Sequence, residues 1–186
     1  MSRLEAALAA IDAANDADPD VTEGAPAARL YGERMTVELE RLFSDASDEL
    51  RIAARGQHIE RWTSPRSAYP EGREGYLNWR RDLGAFHAAR VGEIMAEAGY
   101  GEESIAKVGT MLRKEGIKRD PEVQALEDVI CFTFLRWYFQ PFAESRDAAS
   151  LEKIVAKTAR KMSAEARAKA LKEFNLPEPF AASFRS

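Results

Sequence analysis

The run Leu126-Glu127-Asp128-Val129-Ile130-Cys131-Phe132-Thr133-Phe134-Leu135 is apolar on nearly every side of a helix, and Asp120-Pro121 sits just upstream. An aspartate cap followed by proline in the first turn is a strong helix start. A helix without a polar face must be surrounded, so this segment belongs in the middle of a bundle. The rest of the chain supplies helices to surround it. Leu4, Leu8 and Ile11 mark a first amphipathic stretch, which the acidic loop around Pro19 ends. Ala27 to Phe43 carries Tyr31, Met35, Leu39 and Leu42 along one stripe. A third helix is expected from Ser47, with Leu50, Ala54, His58 and Arg61 on one face. A fourth is expected from Arg73 to just before Gly99, its inner face carrying Tyr76, Trp79, Leu83, His87, Ile94 and Ala98. Gly84 inside it predicts either close helix packing or a break. Glu102 to Glu115, Ala148 to Met162 and Ala164 to Phe174 complete the set. No alternating strand-like run and no internal repeat interrupts the pattern, so the expected fold is all-α, a single-domain bundle of about eight helices.

Within it, residues 1–26 are read as an N-terminal helix and acidic loop, 27–175 as the helical domain, and 176–186 as an irregular tail. At 186 residues, 45% of them hydrophobic and 31% charged, the chain has enough apolar side chains for a core. The formal net charge is -4, which argues against general nucleic-acid coating. That charge is uneven, running from -8 over residues 1–50 to +4 over 150–186. The two ends therefore attract each other or a partner only weakly at physiological salt. Cys131 is the lone cysteine, which excludes a disulfide framework and suits a cytoplasmic setting. No apolar run is long enough to span a membrane, and Arg3 and Glu5 argue against a secretory leader.

Two constellations carry chemistry. His58 and His87 are the only histidines, both at inward positions, and Asp128 sits in the most apolar helix. An unpaired buried carboxylate is costly, so Asp128 must meet a metal, a cation or a hydrogen-bond donor. Where the helices meet, His58, His87 and Asp128 have the donor types for one divalent transition metal such as manganese, iron, nickel or zinc. The plain alternative has these groups satisfying one another or Arg55. The second constellation is arginine-rich and interleaved with aromatics: Arg55, Arg61, Trp62, Arg66, Tyr69 and Arg80, with Arg51, Arg73, Arg81 and Arg90 nearby. Guanidinium forks grip phosphate or carboxylate, and aromatic faces stack on a base or sugar. Local acids at Glu60, Glu71, Glu74 and Asp82 leave an internal salt-bridge network equally open. Phosphate-loop, nucleophile-elbow and HExxH patterns are absent. Cys131 reads as core, and Lys161-Met162-Ser163 as a chance echo of a synthetase loop.

The block Gln57-His58-Ile59-Glu60-Arg61-Trp62, with Pro65-Arg66, Tyr69-Pro70, Gly75-Tyr76-Leu77, Trp79-Arg80 and Phe86-His87-Ala88, resembles the family known as domain of unknown function 4202. The order of elements is also similar to that of the HD-domain metal phosphohydrolases. That resemblance places His58, His87 and Asp128 at ligand positions, and Arg113 or Lys114 near a further histidine position. Met35 and Ile59 stand where other ligands would be, so a two-metal hydrolase is not expected. Together these readings imply a helical protein that binds a phosphorylated, nucleotide-like small molecule through Arg55, Arg61, Trp62, Arg66, Tyr69, Arg80, Arg113 and Lys114. Hydrolysis at a single metal is one version of this reading. A non-catalytic anion-binding or RNA-associated scaffold is the alternative, with a homodimer open through aromatics such as Trp137, Tyr138 or Phe184.

Overall fold

The computed structural model describes residues 1–178 and 180–185. The chain is all-α apart from one minimal hairpin, and it forms two compact units that meet in sequence between Glu115 and Gly116.

In the first unit, α1 (Arg3–Asn15) begins with a capping box in which Ser2 and Glu5 satisfy each other's backbone donors. The acidic loop after it is structural. β1 (Val21–Thr22) and β2 (Ala25–Pro26) pair antiparallel around a tight turn, a hairpin that the sequence pattern did not announce. Pro26 precedes α2 (Ala27–Leu42) and offers no capping side chain, so Asp18 accepts from Ala28 N at 2.8 Å from ten residues upstream. α3 (Asp48–Arg55) starts at Ser47, which accepts from Leu50 N, and stops at Gly56.

The third helix is therefore shorter than its periodicity predicts. Glu60 adopts left-handed backbone, and two single 3₁₀ turns, Arg61–Thr63 and Arg66–Ala68, carry the chain to α4. His58 and Arg61 thus project from a turn rather than from a helix face. α4 (Gly72–Glu97) is unbroken through Gly84, and α5 (Glu102–Leu112) packs along it. A methyl group on Gly84 would stand 3.3 Å from Leu112 O, so the glycine serves close packing. Trp79, Leu83, His87 and Ile94 are buried as the stripe requires, whereas Tyr76 is 47% exposed.

In the second unit, α6 (Pro121–Thr133) is the buried apolar helix, started by Asp120, which accepts from Glu122 N and Val123 N. One π-helical stretch (Phe134–Tyr138) leads into α7 (Phe139–Glu144). α8 (Ala148–Lys161) and α9 (Ala164–Glu173) are capped by Asp147 and Ser163. The tail is not irregular throughout: α10 (Phe180–Arg185) is helical and packs against α8 and α9, with Phe184 buried. Ten helices thus form among the described residues, and none is long and apolar enough to cross a membrane.

Candidate functional site

The turn Gly56–Glu60, the middle of α4 and the turn after α5 enclose a cavity of about 300 Å³ in the first unit. Gln57 reaches it from the first element and Arg61 from the 3₁₀ turn directly after it, Arg80 and His87 from the second, and Arg113 and Lys114 from the third. Arg81 and Glu115 sit on its wall as well. Five cationic side chains therefore face one carboxylate, and that carboxylate is spoken for: Glu115 holds Arg113 at 2.9 Å. Arg81 pairs with its neighbour Asp82 at 3.2 Å.

Arg61 and Arg80 have no carboxylate within ion-pair distance among the described residues. Arg61 lies over the Trp79 ring, 5.0 Å from its centroid, and Nη1 is 3.2 Å from His58 Nε2. A guanidinium only donates, so His58 Nε2 accepts and its proton sits on Nδ1. The His58 ring stacks on Tyr31 with centroids 3.7 Å apart, and the His87 ring is 6.4 Å away. Burial first, then Arg61, His87, Arg80 and Lys114, holds His58 far below its ordinary range. Burial and then Arg61, Arg80 and Lys114 push His87 down to about 3. Burial and the neighbouring Arg80 lower even Arg61. The result is a pair of neutral imidazoles among crowded cations, of which Arg61 and Arg80 lack a carboxylate partner.

Two further groups are out of balance. Gln57 Oε1 and His87 Nε2 are buried atoms with no hydrogen-bond partner, on residues only 6% and 2% exposed. Buried polar atoms are almost always satisfied, so two unpartnered atoms on one cavity wall stand out. The backbone adds a third sign. Glu115 N bonds Thr110 O and Lys114 N bonds Met111 O, the paired closure of a Schellman cap. Its left-handed position, normally glycine, is held by Lys114 at φ 60°.

The other residues singled out in the sequence lie elsewhere. Arg55 is clamped by Asp12 through two bonds of 2.6 and 2.7 Å. Arg66 donates to Tyr69 O at 3.0 Å, and Tyr69 donates to Asp82, so both tie down the loop before α4. Trp62 is half-buried in the first 3₁₀ turn. Asp128 belongs to the second unit, where it accepts from Gln124 Nε2 at 3.0 Å and from Ser163 N at 2.8 Å and so joins α6 to the start of α9. Burial pushes its carboxyl up, against the lowering effect of those two donors. Among the described residues, no group of three or more His, Cys, Asp or Glu side chains gathers to hold a metal.

Gln57 was the member that sequence reasoning missed. It stands in the block that carries the family resemblance, but nothing there assigns it a role, and only the burial of its orphan oxygen marks it.

A two-unit helical protein with a cation-rimmed pocket in its first unit is thus the class that fold and site define. The chain belongs to the family described as domain of unknown function (DUF4202), whose model matches residues 5–182. No curated protein and no solved structure matches it.

Proposed function

We propose that the protein binds a phosphorylated, nucleotide-like small molecule in the pocket bounded by Gln57, Arg61, Arg80, His87, Arg113 and Lys114. The observation that carries this reading is the pairing of Arg61 with Arg80: two neighbouring cations, one of them largely desolvated, without a carboxylate for either. Keeping such charges together without a counter-ion is unfavourable. A phosphoryl group is the natural counter-ion, since guanidinium forks match its oxygens and Lys114 adds a point charge. At about 300 Å³ the cavity is at the small end of ligand pockets, which suits a monophosphate of nucleotide size or less.

The resemblance to HD-domain phosphohydrolases enters here as a scaffold in which basic side chains stand near former ligand positions. The charge around the two histidines opposes a divalent cation, because the nearest charged groups are positive and His58 Nε2 already accepts from Arg61. Binding without metal-assisted hydrolysis is therefore the favoured form of the reading.

Calorimetric titration with adenosine monophosphate and with inorganic phosphate, at constant ionic strength, tests it. Saturable binding that Arg80→Gln weakens by about tenfold or more is expected, a single charged hydrogen bond being worth that much. The absence of saturable binding by any phosphorylated compound would overturn the proposal. Elemental analysis of wild type beside a His58→Ala, Asp128→Ala double variant decides the metal question. Near-stoichiometric metal in the wild type alone would restore the hydrolase version.

A further inference from the structure

The pocket is asymmetric. Its cations come from Arg61, Arg80, Arg81, Arg113 and Lys114, whereas its two buried unpartnered atoms, Gln57 Oε1 and His87 Nε2, are uncharged. A bare anion satisfies the first set and fails the second. Phosphoryl oxygens only accept, so a fully ionised phosphate offers nothing to Gln57 Oε1, which is itself an acceptor. Leaving a buried acceptor unpaired in the complex would cost as much as leaving it unpaired in the free protein.

His87 differs, because a neutral imidazole protonated on Nε2 donates to an anion. It shares the neighbourhood of Arg61, Arg80 and Lys114, the three cations that depress it. The phosphoryl group thus belongs beside His87, and a hydrogen-bond donor on the same ligand belongs beside Gln57. The cavity has room for both, being several times larger than the roughly 30 Å³ that one water occupies in the liquid.

From this wall we infer that the ligand is a hydroxyl-bearing phosphate monoester, a sugar or polyol phosphate or the ribose phosphate part of a nucleotide, whose hydroxyl donates to Gln57 Oε1. The inference rests on the anion-binding reading above and adds the ligand's second recognition element. It assigns Gln57 as the residue that separates phosphorylated sugars from simple phosphates, while Arg61 and Arg80 supply affinity common to both.

The test compares ribose 5-phosphate with methyl phosphate and inorganic phosphate by calorimetric titration at constant ionic strength. Ribose 5-phosphate is expected to bind about tenfold tighter than methyl phosphate, or more, as one hydrogen bond to a buried acceptor requires. Gln57→Met keeps the volume and removes the acceptor. It should erase the difference by weakening ribose 5-phosphate alone, with methyl phosphate unchanged and the thermal midpoint not lowered. Equal affinities for the two esters in the wild type would overturn the inference and leave the anion site standing. Discrimination that survives in Gln57→Met would also overturn it, by placing the hydroxyl elsewhere. Adenosine monophosphate binding where ribose 5-phosphate does not would move the donor to the base and refute the sugar hydroxyl. If none of the phosphates binds, both the inference and the reading beneath it fall.

Discussion

Replacing His87 with glutamine separates the pocket's electrostatics from its packing. The imidazole is 2% exposed and depressed from 6.5 to about 3, by burial first and then by Arg61, Arg80 and Lys114. A histidine whose folded value lies below its unfolded value stays neutral in the folded state while the unfolded chain takes up protons. Its contribution is therefore fully present above about pH 6.5, and it is lost as the pH falls from there toward 3. Between pH 7 and pH 5 these two values give a loss of about 2 kcal/mol from His87 alone. His58 is shifted in the same direction and adds to the loss. Gln is neutral at every pH, so His87→Gln should flatten the pH dependence by about 2 kcal/mol over that interval. Urea unfolding followed by tryptophan fluorescence reads the effect. A Trp137→Phe background confines the signal to Trp62 and Trp79, both in the first unit. Inorganic phosphate should shrink the acid loss in the wild type, because an anion beside the imidazole offsets the three cations. Identical slopes for wild type and His87→Gln between pH 7 and 5 would refute the electrostatic account of the pocket.

Gly75→Ala should lower stability by about 2 kcal/mol or more by thermal or chemical unfolding, since its methyl group would overlap the Pro70 carbonyl. Gly101→Ala, with nothing within 4 Å of the new methyl, should stay within about 0.5 kcal/mol of wild type. Asp128→Asn should destabilise by about 1 kcal/mol, because the amide Oδ1 accepts from Ser163 N and Gln124 Nε2 without the charge that strengthens both bonds, and chelating metal beforehand should not change that loss. Lys114→Gly should be about 1 kcal/mol more stable than Lys114→Ala, since only glycine relieves the left-handed backbone, while both weaken phosphate binding alike; equal stabilities would refute the strain.

The helices were readable from the sequence because their ends are written in single residues. Ser2, Ser47, Asp120, Asp147 and Ser163 all cap as local chemistry dictates, and Gly99 marks a stop with positive φ, whereas α5 stops at Lys114 before Gly116 is reached. Where a boundary depended on distant groups, periodicity misled. The stripe Leu50, Ala54, His58 and Arg61 fits a continuing helix, yet Gly56 ends it and Glu60 turns the chain left-handed. Tyr76 fits the inner face of α4 by spacing, but its position is near the exposed start of the helix. The hairpin at Val21–Pro26 is two residues per strand, too short for any alternation to show. Of the site, Arg61, Arg80, His87, Arg113 and Lys114 were singled out as types and do come together. The tethering of Arg55 by Asp12 was hidden, since the two lie 43 residues apart with no pattern linking them.

The pocket gathers three departures from local rules that most of the chain obeys. Many arginines outside the pocket find acids, as Arg55 finds Asp12, Arg90 finds Glu60 and Arg29 finds Glu33; Arg61 and Arg80 do not. Buried Asn15 Oδ1 is bonded to Glu60 N, whereas Gln57 Oε1 and His87 Nε2 on the pocket wall have no partner; away from the pocket Thr133 Oγ1 shares that state. Helix four ends on glycine at Gly99, whereas helix five ends on Lys114 in the same left-handed conformation. Each departure is unfavourable for folding on its own; single ones occur elsewhere, at Thr133, Glu23 and Lys118, but on this cavity three kinds meet. The proposed phosphorylated ligand would repair the charge and the hydrogen bonds at once, with Lys114 among the cations that hold it. The same logic fixes the size of the response: a ligand at a hundred times its dissociation constant should stabilise the first unit by about 2.7 kcal/mol. That gain is comparable to the roughly 1–3 kcal/mol that one unsatisfied buried polar group costs.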